Sequence, residues 1–347
     1  MRSPVVATLL ALLGIAATLA ARRSEDKAPS AALPWIPAGP AGEARLVAPG
    51  VLSTPADEVA ASFAPDGKDV FFTLRTPSTT QPRLVLCEAH FEHGRWTAPE
   101  VVPFSGRFDD TNARLSPDGR KLYFASLRPV DGKVQKDFDL WMVERTAEGW
   151  SEPRRLPAPI NTPANETAIS EAADGTLYFV SDREGGHGGL DIYRLRRDGS
   201  GYAAAAENLG DRVNSAFDEL QPFVAPDQSL LFFTATGRPE IAVTGGNPYP
   251  RGDIYVSVAQ SDGWGAARNL GPRVNGTASE TNPSLSPDGR MLLFSSERGF
   301  TQVPMPAALT YDALEKGLSS LLNGGGNLYA IELDTLGLGP AGRKENR

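Results

Sequence analysis

A block that returns five times along the chain constrains its fold more than any other feature. Each copy has an acidic residue, seven positions later a Pro-Asp or Ala-Asp turn, and then a short strand of aromatic and aliphatic residues. The acidic residues are Glu58, Asp110, Glu166, Glu219 and Glu280. The turn aspartates are 52, 56, 53 and 61 residues apart. That spacing fits four short strands with their loops, and so predicts one β-propeller blade per copy.

Within each copy the sequence predicts four antiparallel strands. The Pro-Asp-Gly turn joins the first strand to the second, because Pro presets φ while Asp and Gly accept turn geometry. The third strand follows a loop of variable length, and the fourth begins at a Gly-aromatic hairpin such as Gly149-Trp150. These short alternating strands predict an all-β fold and exclude a parallel α/β sheet.

The fifth copy stops after its third strand. Residues 44–48, which precede the first copy, have the same pattern as residues 267–270 before the fifth. We therefore predict that residues 44–48 complete the last blade and remove an exposed sheet edge. This gives a five-bladed propeller over residues 44–334. The alternative of six blades needs a sixth repeat, and the one long unassigned segment, residues 300–326, has a helical pattern near Tyr311.

The ends of the chain predict export. An apolar run within residues 1–21 has the length of a signal peptide, and residues 22–43 are rich in Ala, Pro and Gly, as in a disordered linker. Residues 335–347 form a C-terminal tail. We expect a periplasmic or secreted monomer, whose only membrane contact is an N-terminal anchor if the signal remains uncleaved, because Arg22 and Arg23 follow the apolar run.

Composition excludes several classes of function. The net charge of −8 is spread along the chain, so no concentrated basic face is available for nucleic acid. Cys87 is the single cysteine, which excludes an intramolecular disulfide. Catalytic motifs and metal-ligand clusters are absent from the sequence, so we expect no cofactor, no metal and no catalytic residue.

Two stretches carry a family resemblance. Residues 280–298, and residues 181–193 with Asn208-Leu209-Gly210 and Val213-Asn214-Ser215, resemble the WD-like repeat of TolB-type propellers. The resemblance covers about residues 44–334. It implies an extracytoplasmic propeller of the bacterial envelope, where similar repeats occur beside peptidoglycan-binding OmpA-like domains, and a role in binding other macromolecules.

The five acidic residues share one phase of the repeat, so a closed ring would bring them together as one tier. Such a tier could collect a cation or the hydroxyls of a glycan. Alternatively, each carboxylate accepts backbone hydrogen bonds or pairs with an arginine after the second strand, for which the candidates are Arg128, Arg183, Arg298 and Arg75. We expect a mainly structural tier, because a blade needs such a residue in every copy whereas catalysis needs it once.

Departures from the repeat are the candidate binding residues. Arg114 stands where three other copies have serine, and Glu171 stands where the others have an apolar residue, so the two could converge on a ligand or pair with each other. His187 lies in a glycine-rich loop. Tyr249 and Tyr311 lie in the unrepeated inserts 245–251 and 300–326.

The sequence favours a non-catalytic scaffold that binds a protein or a cell-envelope polymer on the face that carries the inserts. The alternative is a propeller glycoside hydrolase or glycan-binding protein that uses channel carboxylates, with Glu171, Glu166 and Asp110 as candidates.

Overall fold

The computed structural model describes residues 33–77, 82–199, 201–239, 241, 251–299, 308 and 310–339. The predicted signal peptide, the linker up to residue 32, Tyr249 and residues 340–347 of the tail lie outside these residues. The described part of the chain forms a five-bladed β-propeller of four-stranded antiparallel sheets, which confirms the predicted fold. Its helical elements are α1 (Tyr311–Leu318) and a 3-10 turn at Leu333–Leu336.

The strands follow the repeat, and the first strand of each blade is the innermost. Blade 1 contains β2 (Asp57–Phe63), β3 (Asp69–Arg75), β4 (Leu84–Glu92), β5 (Arg95–Trp96) and β6 (Glu100–Val101). Blade 2 contains β7 (Asp110–Leu115), β8 (Lys121–Ser126), β9 (Asp139–Thr146), β10 (Gly149–Trp150) and β11 (Arg154–Arg155). Blade 3 contains β12 (Glu166–Glu171), β13 (Leu177–Ser181), β14 (Asp191–Leu195) and β17 (Glu207–Asn208), with β15 (Arg197–Asp198) and β16 (Gly201–Tyr202) as a side hairpin. Blade 4 contains β18 (Asp218–Val224), β19 (Leu230–Thr236), β20 (Gly252–Gln260), β21 (Gly263–Trp264) and β22 (Arg268–Asn269). Blade 5 contains β23 (Glu280–Leu285), β24 (Met291–Ser296), β25 (Asn327–Glu332) and β1 (Arg45–Leu46).

The ring closes as predicted. Strand β1 pairs antiparallel with β25, with Arg45 opposite Ala330 and Leu46 opposite Tyr329. The Val47 N–H continues the ladder by donating to the Leu328 carbonyl at 2.8 Å. The last blade therefore combines both ends of the propeller segment, which covers the edge of β25.

The segment just before β1 packs on blade 1. Trp35 and Ile36 are buried, and the Trp35 ring stacks on Phe63 with 4.5 Å between ring centroids. Trp96 contacts both rings edge-on. Within the predicted linker, residues 34–36 thus belong to the folded unit, because two large apolar side chains leave water there.

The hydrophobic core lies between neighbouring blades. Large side chains of the second and third strands fill these spaces, for example Phe233 and Tyr255 between blades 3 and 4 and Phe294 and Tyr329 between blades 4 and 5. Among the described residues, no helix is both long and apolar enough to span a membrane.

Candidate ligand site in the propeller channel

The first strands of the five blades line a central channel with two different ends. We call the end where these strands begin, with their acidic residues, the acidic mouth. The opposite end, where they run into the Pro-Asp-Gly turns, is the turn mouth. Because second strands run antiparallel to first strands, β19 and β24, the strands that precede the two inserts in the sequence, end at the acidic mouth.

Every carboxylate of the acidic tier has hydrogen-bond donors. Glu219 accepts from Ser215 N–H at 2.8 Å and from Arg238 Nη2 at 2.7 Å. The pattern repeats in three other blades, with the pairs Asp110–Arg128, Glu166–Arg183 and Glu280–Arg298. In blade 1, Glu58 is bound by the backbone N–H and hydroxyl of Thr54. These contacts occupy the oxygens that a cation or sugar would need.

Two details of this tier differ from the sequence expectation. Arg75 does not pair with Glu58; it pairs with Asp57, which lies directly opposite it on the neighbouring strand, and with Glu297. In blade 4 the arginine that pairs with the acidic residue Glu219 is Arg238. It was not among the arginines predicted from the repeat.

The arginines of the tier are held between aromatic rings of their own blades. The Arg183 guanidinium lies 5.0 Å from the Phe179 ring centroid and 4.9 Å from that of Tyr193, and Arg128, Arg238 and Arg298 have equivalent ring contacts. Burial raises the pKa of Glu58, Glu166, Glu219 and Glu280 above the usual glutamate value, against the opposing effect of their donors. At Asp110, Glu166, Glu219 and Glu280 the tier thus consists of desolvated ion pairs in which removal of either partner is costly.

A layer of amide side chains separates the two mouths. Each first strand has a β-bulge near its middle, and Asn112, Gln221 and Asn282 have positive φ there. Asn282 Nδ2 donates to Asn112 Oδ1 at 2.9 Å, across the channel from blade 5 to blade 2. Gln221 Oε1 accepts from the Asn282 N–H at 3.1 Å. One of these hydrogen bonds joins two amide side chains and the other joins Gln221 to the Asn282 backbone, so amide groups lie in the middle of the channel, between the two mouths.

The turn mouth contains a cup with a volume of about 150 Å³, lined by residues of all five blades. Its wall comes chiefly from equivalent positions of the first strands, and its rim from the prolines of the turns. The wall residues are Ser62, Arg114, Ser170, Phe223 and Ser284, with Glu171 beside them, and the rim contains Pro65, Pro117, Pro226 and Pro287.

Arg114 is the exceptional residue of the cup. Its residue exposure is 6%, and Nη2 donates to the Pro283 carbonyl at 3.1 Å across the channel. Nη1 is buried without a hydrogen-bond partner, and no ion pair of the described residues includes Arg114. The guanidinium lies 5.1 Å from the centroid of the Phe223 ring. Burial lowers the pKa of Arg114 to about 10, so the group remains a cation at neutral pH.

Glu171 lines the same cup but does not pair with Arg114. Its Oε1 accepts from Lys121 Nζ at 2.8 Å, and its Oε2 accepts from the Tyr123 hydroxyl at 2.9 Å. The sequence reasoning missed Lys121, Tyr123 and Phe223. Phe223 could have been found, since it stands at the position of Arg114 in the fourth copy.

The other candidates lie elsewhere. His187 is exposed in the loop between β13 and β14, and Tyr311 is 77% exposed at the start of α1, so both belong to the acidic-mouth side. Glu166 and Glu171 begin and end the same strand, roughly 15 Å apart along an extended chain. That exceeds the separation of about 5–9.5 Å between the carboxyl groups of glycosidases. Asp110 is at the acidic mouth with its oxygens on Arg128 and Ser105.

No protein-family model matches the sequence, and no curated protein sequence matches it. The fold is similar to an α-L-arabinofuranosidase from Lactobacillus brevis, at 14% identity and a TM-score of 0.45 over 80% of this chain and 90% of that one. It is also similar to a GH43 endo-arabinanase from Bacillus licheniformis, at 12% identity and a TM-score of 0.44 over 80% and 93%. A periplasmic gluconolactonase from Pseudomonas aeruginosa has 15% identity and a TM-score of 0.38 over 70% and 66%. None of these three is a TolB protein, so the TolB-type resemblance stays an expectation from the sequence. At such similarity their activities carry no weight for this chain.

Proposed function

We propose that this protein is an extracytoplasmic binding protein that holds an acidic sugar in the cup at the turn mouth. The observation that carries the proposal is the buried Arg114 guanidinium, which lines the cup with one nitrogen unpartnered and without an ion pair to Glu171, the carboxylate of the same lining. The extracytoplasmic location rests on the predicted signal peptide.

Charge selects the class of ligand. Moving a neutral polar group out of water without a hydrogen-bond partner costs about 2–7 kcal/mol, and moving an unpaired charge costs more. A carboxylate on the ligand would offset that cost, because a guanidinium and a carboxylate form charge-assisted hydrogen bonds that are stronger than neutral ones. The ligand is therefore anionic, and the cup accepts only a small group.

The rest of the wall suits a sugar. Ser62 Oγ and Ser170 Oγ accept from the backbone N–H groups of Leu115 and Val224, and no described residue takes their hydroxyl protons, which leaves these donors for ligand hydroxyls. Phe223 provides an apolar face of the kind that packs against C–H groups. An anionic group with neighbouring hydroxyls on a compact ring fits this wall.

Binding fits this end of the channel better than glycoside hydrolysis. A glycosidase needs a carboxylic acid with a raised pKa to protonate the leaving group. Near the cup, the pKa of Asp118 is lowered chiefly by the hydroxyl of Ser116, and that of Asp174 is lowered by hydrogen bonds that outweigh its desolvation. Both aspartates are therefore ionised at neutral pH.

The test is calorimetric titration of the mature protein with sodium glucuronate. We expect saturable binding that Arg114→Gln abolishes, whereas Arg120→Gln, an exposed arginine of the neighbouring turn, leaves it unchanged. Xylose, which lacks the carboxylate, should bind at least about tenfold more weakly. Glucuronate binding that is equal in the wild type and in Arg114→Gln, or absent from both, would refute the proposal.

A second function is favoured by one observation at the acidic mouth. Tyr311, Leu318 and Leu322 of the blade 5 insert are 77%, 59% and 42% exposed. Apolar side chains exposed together are a feature of docking surfaces, so a protein or envelope polymer bound there remains our second proposal.

A further inference from the structure

A groove on the turn-mouth side adjoins the cup. It has a volume of about 480 Å³ and lies between the turns of blades 2 and 3. Its lining shares Ser116, Pro117 and Glu171 with the lining of the cup. Glu171 therefore stands where the two cavities meet.

The two volumes differ in what they can hold. Pockets of about 300–1,000 Å³ are typical of drug-sized ligands. The groove falls in that range, and the cup, at about 150 Å³, is too small for more than one compact group. A ligand that fills both has a small head in the cup and a longer body in the groove.

The charges of the groove select the chemistry of that body. The carboxylates of Glu171, Asp118 and Asp174 line it together with the cations of Lys121 and Arg197. Lys121 is already bound to Glu171, and Asp174 accepts from the Gln228 amide at 2.8 Å. This mixed lining has no excess of positive charge, so it disfavours a polyanion. Carboxylate oxygens are acceptors for hydroxyl groups, so a neutral polyhydroxylated chain suits it.

We infer that the ligand is a neutral oligosaccharide that ends in a single acidic sugar, with the acidic sugar on Arg114 in the cup and the neutral units along the groove. This inference rests on the proposed function of the cup. It adds the length of the ligand, its direction and the charge of its body.

The experiment compares four defined probes by calorimetry: glucuronate, aldotriouronic acid (one uronic acid on two xylose units), xylotriose and trigalacturonate. We expect aldotriouronic acid to bind about tenfold more tightly than glucuronate, because the xylose units add contacts in the groove. Xylotriose should bind weakly for lack of the anion, and trigalacturonate should bind more weakly than aldotriouronic acid.

A groove variant separates this inference from the proposed function. Ala173 is an exposed residue of the groove lining, and Ala173→Tyr should reduce the affinity for aldotriouronic acid to that for glucuronate, with glucuronate binding unchanged. The control is Lys68→Tyr, an exposed residue of the blade 1 turn that lines neither cavity.

If glucuronate binds through Arg114 but aldotriouronic acid binds no more tightly, the inference is wrong and the proposed function stands. The same follows if Ala173→Tyr has no effect on the trisaccharide, or if trigalacturonate is the tightest ligand. If none of the acidic probes binds, both are wrong.

Discussion

The two ends of the channel differ in whether their buried charges are neutralised by ion pairs. At the acidic mouth, Glu219 is fully buried and Arg238 nearly so, and they satisfy each other. At the turn mouth, Arg114 is just as deep but has no carboxylate partner. The same strands form both ends, so the difference does not come from the framework. The repeated, neutralised charges belong to the framework of every blade, whereas the single uncompensated charge at the other end of the same strands is the basis of our proposal of a ligand site.

Removal of an arginine from each end should give the largest contrast. Arg238→Met leaves Glu219 buried without its cation, so we expect the free energy of unfolding to fall by about 3–5 kcal/mol. Arg114→Met removes a cation that has no carboxylate partner, so stability should stay the same or rise by about 1 kcal/mol. Urea unfolding of both variants at pH 7 measures the difference. Equal losses would mean that Arg114 is as structural as the tier.

Glu280→Gln tests the tier through its donors and should have the next largest effect. The carboxylate accepts from Gly276 N–H at 2.8 Å and from Ser296 Oγ at 2.7 Å, and an amide nitrogen would face such donors with another donor. We expect a loss of about 1–3 kcal/mol in the free energy of unfolding. Glu148→Gln, at an exposed hairpin, is the matched control and should leave the unfolding curve unchanged. If Glu148→Gln lowered the free energy of unfolding as much as Glu280→Gln, the acidic tier would contribute no more to stability than an exposed carboxylate.

The pH dependence of the same variant sharpens this result. Since burial raises the pKa of Glu280 above its ordinary value of 4.5, the folded state binds its proton more tightly than the unfolded state does. Stability contributed by the protonated group is therefore greatest below pH 4.5 and declines as the pH rises through the folded pKa. We expect the stability difference between the wild type and Glu280→Gln to shrink as the pH rises through that window. A difference that grows with pH would place the folded pKa below 4.5.

The smallest effect is expected when one end of the channel is changed and ligand affinity is measured at the other end. Replacement of residues 308–323 by a short Gly-Ser turn removes α1 and the exposed apolar side chains at the acidic mouth. Because the amide layer of Asn112, Gln221 and Asn282 separates that end from the cup, the affinity for glucuronate should change less than about twofold. Loss of glucuronate binding in a folded variant would show that the two ends are coupled.

The fold was largely predictable from the sequence because its determinants are local and repeated. The acidic residue, the turn and the strand recur in phase in each blade, and the missing strand of blade 5 could be read from Arg45 and Leu46. Hydrogen bonds between neighbouring strands depend on short segments whose pattern a sequence carries directly. The packing of Trp35 on Phe63 had no such pattern, because it depends on one aromatic residue and its distant partner.

The sequence by itself determined the number of blades, the closure of the ring and the residues that depart from the repeat. Only the tertiary structure decided what those departures do. The sequence marked Arg114 and Glu171 as unusual and left open whether they pair. In the closed ring, Glu171 accepts hydrogen bonds from Lys121 and Tyr123, and Arg114 has no ion-pair partner. The physical reason is that contacts in the channel join residues of different blades, such as Asn112 and Asn282, whose distances depend on the geometry of the whole ring and on no local pattern.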